Sequence, residues 1–311
     1  MKWWVRLTMY WYVPQFAIRN PERQGSAGPT LLVANHPDSF LDALLIALAC
    51  NRPVHFLARG DVFNRPWHRT LLRLLNMYPV YRIREGRQYV HLNRTTFQYA
   101  HEVLSNGGTL LIFIEGICLN THALQPFKKG AGRIAIEASS LPDFRIIPVG
   151  VAYSDFQRIG KAATLCFGEA LLPGELFTST HEQSNIHQFN SILFLQLKEL
   201  IQPPTTTISD KHLGILAIVT PLAKCMNFPL FYPVSRWVGA KTKGTVFYDS
   251  VLFAVLLFTY PLYCILIASL LKWMGVSWLA ACIFTAMAPA SAYYVLSARL
   301  QLNYKSQAVP S

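Results

Sequence analysis

Charge is what this chain has least of. Asp, Glu, Lys and Arg make up 14% of its 311 residues, where soluble domains carry about 25%. Hydrophobic residues reach 52% and the mean hydropathy is +0.27. That balance excludes a disordered chain, a coiled coil and an ordinary cytosolic protein. Acidic residues are the scarcer sign, 16 against 28 basic, for a net charge of +12. The shortage is sharpest in residues 213–311, which hold one acidic and seven basic residues; residues 1–212 hold 15 and 21. The basic excess is spread along the chain and forms no tail. An aromatic-basic stripe of the kind that tracks nucleic acid is also missing, and an anionic membrane surface is the partner this balance suits. Any Cys-x2-Cys pair is absent as well: Cys50, Cys118, Cys166, Cys225, Cys264 and Cys282 stand singly. Zinc-site spacing is thereby excluded, and the six are expected to be reduced, small hydrophobes.

A smooth apolar core is lacking at the N-terminus. Trp3, Trp4, Arg6, Trp11 and Pro14 interrupt it, and no small-residue cleavage site follows, so residues 1–23 do not read as a signal peptide. Trp and Tyr beside Lys and Arg favour the headgroup layer. Residues 1–23 are therefore expected to form an aromatic interfacial segment, followed by a Gly/Ser/Pro linker. Beyond it, short apolar runs at 30–34, 54–58, 78–82, 109–114, 145–153 and 164–168 alternate with helical patterns at 39–50, 66–76, 87–105, 131–140 and 183–201. Continuous apolar runs such as 110–114 suit strands buried on both faces. The alternation predicts an α/β domain over residues 24–207, a mostly parallel sheet flanked by helices.

The C-terminal third changes character. Residues 251–271 are 21 positions without a charge, about 31 Å as a helix. Residues 275–296 are 22 more, again uncharged, with only Lys272-Trp273-Met274 between. Residues 246–311 are expected to form a transmembrane helical hairpin and a short tail. Residues 208–245 read as a linker with an interfacial or re-entrant segment, because Pro221, Lys224, Pro229 and Pro233 break its apolar run. Arg236, Lys241 and Lys243 precede the hairpin, Arg299 and Lys305 follow it, and Lys272 sits at its tip. By the positive-inside rule both ends face the cytoplasm, giving two spans with the α/β domain on that side.

The strongest chemical signal follows the first strand: Ala34-Asn35-His36-Pro37-Asp38-Ser39-Phe40-Leu41-Asp42. A His leaves a buried strand and enters a helix that Asp38 or Ser39 is expected to cap. Strand ends in open α/β sheets are where sites sit. A His with a carboxylate partner is a general base of fixed tautomer. Glu115-Gly116 directly follows the run 110–114; the Gly lets backbone approach a ligand, and the acid suits a hydroxyl. Arg59, Arg82, Arg84, Lys128, Lys129 and Arg133 lie near strand ends and loops, where cations suit phosphate. Phe127-Lys128-Lys129-Gly130-Ala131-Gly132 opens a predicted helix, whose N-terminus favours anions.

Together these residues resemble the glycerolipid acyltransferase family, the 1-acylglycerol-3-phosphate and glycerol-3-phosphate acyltransferases. The resemblance covers residues 30–168. The family's Asn-His-x4-Asp block is nearly matched by Asn35, His36 and Asp42, its apolar run ending in Arg by Pro79-Val80-Tyr81-Arg82. Its Phe-Pro-Glu-Gly-Thr-Arg block is matched in part by Phe113-Ile114-Glu115-Gly116-Ile117-Cys118. Its Pro-containing strand is matched by Ile146-Ile147-Pro148-Val149-Gly150-Val151, and a downstream Lys-Gly by Lys128-Lys129-Gly130. Five residues, not four, separate His36 from Asp42. One residue turns a helical side chain by about 100°, which leaves Asp38 as the alternative partner; the form His-Pro-x4-Asp also resembles a fungal-type glycerol-3-phosphate acyltransferase branch and keeps Asp42. The third block lacks its Pro, Thr and Arg, which bears on recognition of an acceptor phosphate.

The resemblance implies that His36 deprotonates a glycerol hydroxyl that attacks a fatty acyl thioester, with Asp42 orienting the imidazole. It implies Asn35, Arg82, Glu115 and Gly116 as substrate-binding residues, with Arg59 and Lys128 as further candidates for phosphate. The donor is acyl-CoA or acyl carrier protein, the acceptor a lysophosphatidic acid-like glycerol lipid, with glycerol-3-phosphate or another lysolipid or aminolipid next. No metal or bound cofactor is implied. The rival of a different class is a non-catalytic lipid-binding member of the same fold.

Overall fold

Thr30–Ala34 is apolar after its threonine and buried along its whole length, as a strand must be when helices cover both faces of its sheet. It is the second strand, β2, of the computed structural model, which describes residues 2–24, 27–81, 93–202, 204 and 213–307. The seven-stranded sheet comprises β1 (Gln15–Arg19), β2, β3 (Val54–Arg59), β4 (Met77–Val80), β5 (Thr109–Phe113), β6 (Arg145–Tyr153) and β7 (Ala162–Phe167), in the order β1-β7-β6-β2-β5-β3-β4. The strands β6, β2, β5, β3 and β4 run parallel. β7 is antiparallel to β6, and β1 is parallel to β7. This is the mostly parallel α/β sheet that the alternating pattern predicts. β1 is a strand the pattern does not announce. It is a five-residue edge strand, half exposed, so neither an apolar run nor a clean alternation marks it.

The helices of this domain are α1 (Lys2–Tyr12), α2 (Phe40–Ala49), α3 (Pro66–Leu74), α4 (Asn93–Ser105), α5 (Lys129–Ala138), α6 (Pro173–Leu176) and α7 (Glu182–Leu200). The period of two along the strands sorts the core into two layers. Leu32, Ala34, Leu111, Ile147 and Val149 pack on one face with Leu41, Leu45 and Ile46 of α2. Leu31, Val33, Leu110 and Ile146 pack on the other with α4, α5 and α7, through Leu104, Ala135 and Phe189.

Three long helices follow: α8 (Leu213–Lys241), α9 (Tyr248–Trp273) and α10 (Trp278–Gln307). All three are long and apolar enough to cross a membrane by length and composition. Ile218, Phe228, Phe258, Leu262 and Leu279 face outward, an apolar surface that fits hydrocarbon better than water. The segment read as broken by prolines is one continuous helix, with Pro221, Pro229 and Pro233 inside it. Each proline removes one backbone bond, and apolar helices tolerate this where neighbours support them. That support is visible: Asn227 Nδ2 donates to Ala288 O (3.1 Å), Tyr260 Oη to Asn227 Oδ1 (2.6 Å) and Tyr263 Oη to Met226 O (2.6 Å).

α8 packs against both α9 and α10. Near its start, Leu216 and Ala223 pack with Val295, in the half of α10 that returns to the α/β domain. In that same half Tyr293 meets Trp11 of α1, with ring centroids 5.5 Å apart. Near its end, Gly239 lies against Tyr248 at the beginning of α9, which also abuts the domain. The middle of α8, at Met226 and Asn227, takes the bonds from Tyr263 and Tyr260 of α9.

Candidate active site

The C-terminal ends of β2 and β5 are neighbours, since Ala34 pairs with Phe113. His36 and Glu115 therefore leave the sheet side by side, in the crevice that parallel sheets offer to ligands. His36 Nδ1 lies 2.9 Å from Asp42 Oδ2. The imidazole stacks on Phe113 at 3.8 Å between centroids, which fixes its plane. Its side chain keeps 19% exposure while that of Asp42 has none. A carboxylate partner at Nδ1 favours the tautomer that carries its proton there and keeps Nε2 as the basic nitrogen.

Asp42 gathers three donors. Oδ2 also accepts from the Asp38 amide at 2.8 Å, and Oδ1 accepts from Tyr153 Oη at 2.7 Å. Burial, then the nearby Asp42 and Asp38 carboxylates, push the Tyr153 phenol well above its ordinary value, so it stays a donor. The choice between the two aspartates is thereby made by geometry. Asp42 faces the imidazole, and the Asp38 carboxylate points away to Lys161. Neither Asp38 nor Ser39 caps α2 with its side chain, contrary to the expectation. Ser39 stands at φ 52° with no cap bond, and the free amides are covered from elsewhere: Asp42 takes Asp38 N, and Cys118 Sγ accepts from Ser39 N at 3.0 Å.

The other residues expected to touch substrate divide into groups. Asn35 is buried and exchanges both ends of its amide with the Val151 backbone, at 2.9 and 2.8 Å; it ties the exit of β2 to β6. Glu115 is buried too; Oε2 accepts from His36 N (3.2 Å) and Oε1 from Gln125 N (2.9 Å). Burial raises the Glu115 carboxyl, against these two bonds. It braces the His36 backbone and the loop after β5. Gly116 sits at φ +62°, where a Cβ would meet Lys128 at 3.0 Å, so it gives Lys128 room beside the turn. The exposed Lys128 precedes α5, and its amide donates to Ile114 O at 2.9 Å. Arg59 lies at the end of β3, ion-paired with Asp61 and over the Phe247 ring at 5.7 Å. Arg82 and Arg84 lie outside the described residues. Tyr153 and Lys161 are the polar neighbours that the motifs do not single out, being far in sequence from the residues they touch. A mostly apolar cavity of about 410 Å³ runs along α2 from Phe40 past Leu44 to Arg52 and the starts of β3 and β4, at Val54 and Met77.

Residues 15–152 match the protein-family model described as Acyltransferase. Over these residues the chain is similar to the acyltransferase family. It is 31% identical over 163 residues to the human 1-acyl-sn-glycerol-3-phosphate acyltransferase beta, covering 50% of this chain and 51% of that one. The chain thus spans about half the length of the curated relative it matches. It also resembles the crystal structure of the 1-acyl-sn-glycerophosphate (LPA) acyltransferase PlsC from Thermotoga maritima. That match has a TM-score of 0.48 and 20% identity, over 64% of this chain and 75% of that one. The His36–Asp42 pair, Glu115 and Gly116 all fall inside the stretch that matches the acyltransferase model.

Proposed function

We propose that this chain is a membrane-bound O-acyltransferase of phospholipid synthesis, moving a fatty acyl group from a thioester donor to a lysophosphatidic acid-like glycerol lipid. The observation that carries the reading is the His36–Asp42 bond through Nδ1, at the strand ends. Nε2 takes the proton of the acceptor hydroxyl, whose oxygen attacks the thioester carbonyl carbon. The tetrahedral adduct collapses, the carbon–sulfur bond breaks, and the leaving thiolate takes the proton back from Nε2. An ester and a free thiol result. Asp42 stabilises the imidazolium between the two transfers, and the thioester is already activated, so no metal or bound cofactor takes part.

Lys128, beside Gly116, and Arg59 are the cations that suit the acceptor phosphate, with Arg82. The departures at Ile117 and Cys118 remove the family's hydroxyl and guanidinium from this turn, which favours an acceptor held by fewer phosphate contacts. The cavity of about 410 Å³ suits an acyl chain, being mostly apolar and bordered by the helix that carries Asp42. The donor is acyl-CoA or acyl carrier protein; the latter is acidic and complements the basic excess of residues 1–212.

The domain faces the cytoplasm, where the thioester is made, with α9 and α10 as the two crossings. The contacts of α8 with Val295 near its start and with Tyr248 near its end support its entering and leaving by one face. The test is incubation of the purified protein with a panel of lysolipid, aminolipid and glycerol-3-phosphate acceptors and both donor types, read by lipid mass spectrometry. An acylated lysophosphatidic acid as main product supports the reading; product only with other acceptors would reassign the acceptor, and no product with any pair would contradict the activity.

A further inference from the structure

Three successive backbone amides at the entry to α2 are each taken by a side chain from a different element. Asp38 N is held by Asp42 of α2 itself, and Ser39 N by Cys118 of the loop after β5. Phe40 N donates to Ser250 Oγ at 3.0 Å, and Ser250 Oγ donates in turn to Asp38 O at 3.3 Å. Ser250 belongs to the first turn of α9, in the segment that otherwise reads as a membrane anchor. The residue before it reinforces the attachment. Asp249, the single acidic residue of positions 213–311, shares the Lys161 ammonium with Asp38. Tyr12 Oη closes the cluster with a 2.6 Å bond to Asp249 Oδ1. The side chains of Lys161, Asp38 and Asp249 are at most 1% exposed, and Lys161 Nζ stands 4.6 Å from the centre of the Tyr153 ring. That ring carries the hydroxyl that holds Asp42.

The stretch from His36 to Asp42 needs such fixtures. Ser39 stands at φ 52°, a conformation that a non-glycine residue keeps only when its surroundings impose it. A charge in an apolar helix is costly unless paired, and here the pair lies against the loop that bears the dyad.

We propose that the first turn of α9 is part of the acyl-transfer machinery: Ser250 and Asp249 are positioning residues that act through the Asp38–Phe40 loop to hold His36 and Asp42 in register. This rests on the acyl-transfer reading above. It gives the C-terminal hairpin a second task, completing the site as well as anchoring it.

The test uses the full chain in phospholipid vesicles, with palmitoyl-CoA or palmitoyl acyl carrier protein as donor and oleoyl lysophosphatidic acid as acceptor. Ser250→Ala removes both loop bonds without burying a charge. Its kcat should fall about tenfold to a hundredfold, the cost of a small misplacement, with KM for either substrate little changed. Ser250→Thr keeps the hydroxyl and should recover most of the kcat. Asp249→Asn should lower kcat in the same way; should that variant fail to fold, the serine pair decides alone. A Ser250→Ala protein with wild-type kcat would overturn the proposal. So would a kcat loss that only matches the loss of folded protein, or a threonine variant that regains stability without kcat. Wild-type protein that makes no product would overturn the acyl-transfer reading together with this proposal, whereas active wild type with an unimpaired Ser250→Ala overturns the positioning role alone.

Discussion

At the residue scale, the account turns on which atoms Asp42 and Asp38 face. Asp42 Oδ2 holds the imidazole, while Asp38 is turned to Lys161. Asp42→Asn should therefore cut kcat by about a hundredfold or more, and Asp38→Asn by much less; the reverse order in steady-state assays would contradict the assignment. Tyr153→Phe removes one of the three donors to Asp42. A hydrogen bond to a charged group contributes about 1.5–3 kcal/mol, so turnover should drop about tenfold or more with the fold intact by circular dichroism. Asp38 also sets a pH dependence. Burial pushes its carboxyl up to about 9, against the pull of Lys161, while in the unfolded chain it titrates near about 3.9. Between these values the native state holds a proton that the unfolded state releases, so this group's contribution falls as pH rises from about 4 toward 9. Burial disfavours the Lys161 charge, but Asp38 and Asp249 hold its value above the ordinary one, so its contribution is lost only at still more alkaline pH. Melting temperature measured from pH 5 to 9 should decline in the wild type and decline less in Asp38→Asn. Equal slopes would contradict the buried, proton-holding Asp38.

At the element scale, the central strands and the helices between them were legible because burial writes itself into composition. β2, β5 and β6 are continuous apolar runs, and α7 is marked by its apolar period. β1 was not legible, since an edge strand half in water needs no such run. The prolines of α8 read as breaks because proline costs a water-exposed helix about 3 kcal/mol. In the structure the helix continues past them, held by Asn227, Tyr260 and Tyr263. Its seat against α9 and α10 bears on topology. On a background with the six native cysteines replaced, single cysteines at Ser209, Lys241 and Lys272 can be labelled in sealed vesicles. Ser209 and Lys241 should react from one side and Lys272 from the other. Labelling of Ser209 and Lys241 from opposite sides would make α8 a third crossing.

At the scale of the whole molecule, the dyad was legible and its surroundings were not. His36 and Asp42 lie within one helix turn and loop, so their relation survives as a local pattern. Tyr153, Lys161, Ser250 and Tyr12 reach the same spot from β6, the residue before β7, α9 and α1, and no spacing rule links positions that far apart. Asn35 and Glu115 were found as motif residues, yet their polar atoms are spent on backbone; a motif names the residue, and only the fold shows what it holds. The α/β domain, its strand ends and the long apolar helices then form one arrangement, joined where Ser250 and Asp249 meet the Asp38–Phe40 loop and Lys161. Its central claim is that His36 is the base of an acyl transfer. The most direct measurement is the rate of acylated lipid formed by wild-type and His36→Ala protein in the same vesicles, by mass spectrometry, with folding checked by circular dichroism. The account predicts acylated product from the wild type and a loss of about 10²–10⁴-fold or more in the variant, with unchanged fold and membrane association. A folded His36→Ala protein turning over near the wild-type rate would contradict it.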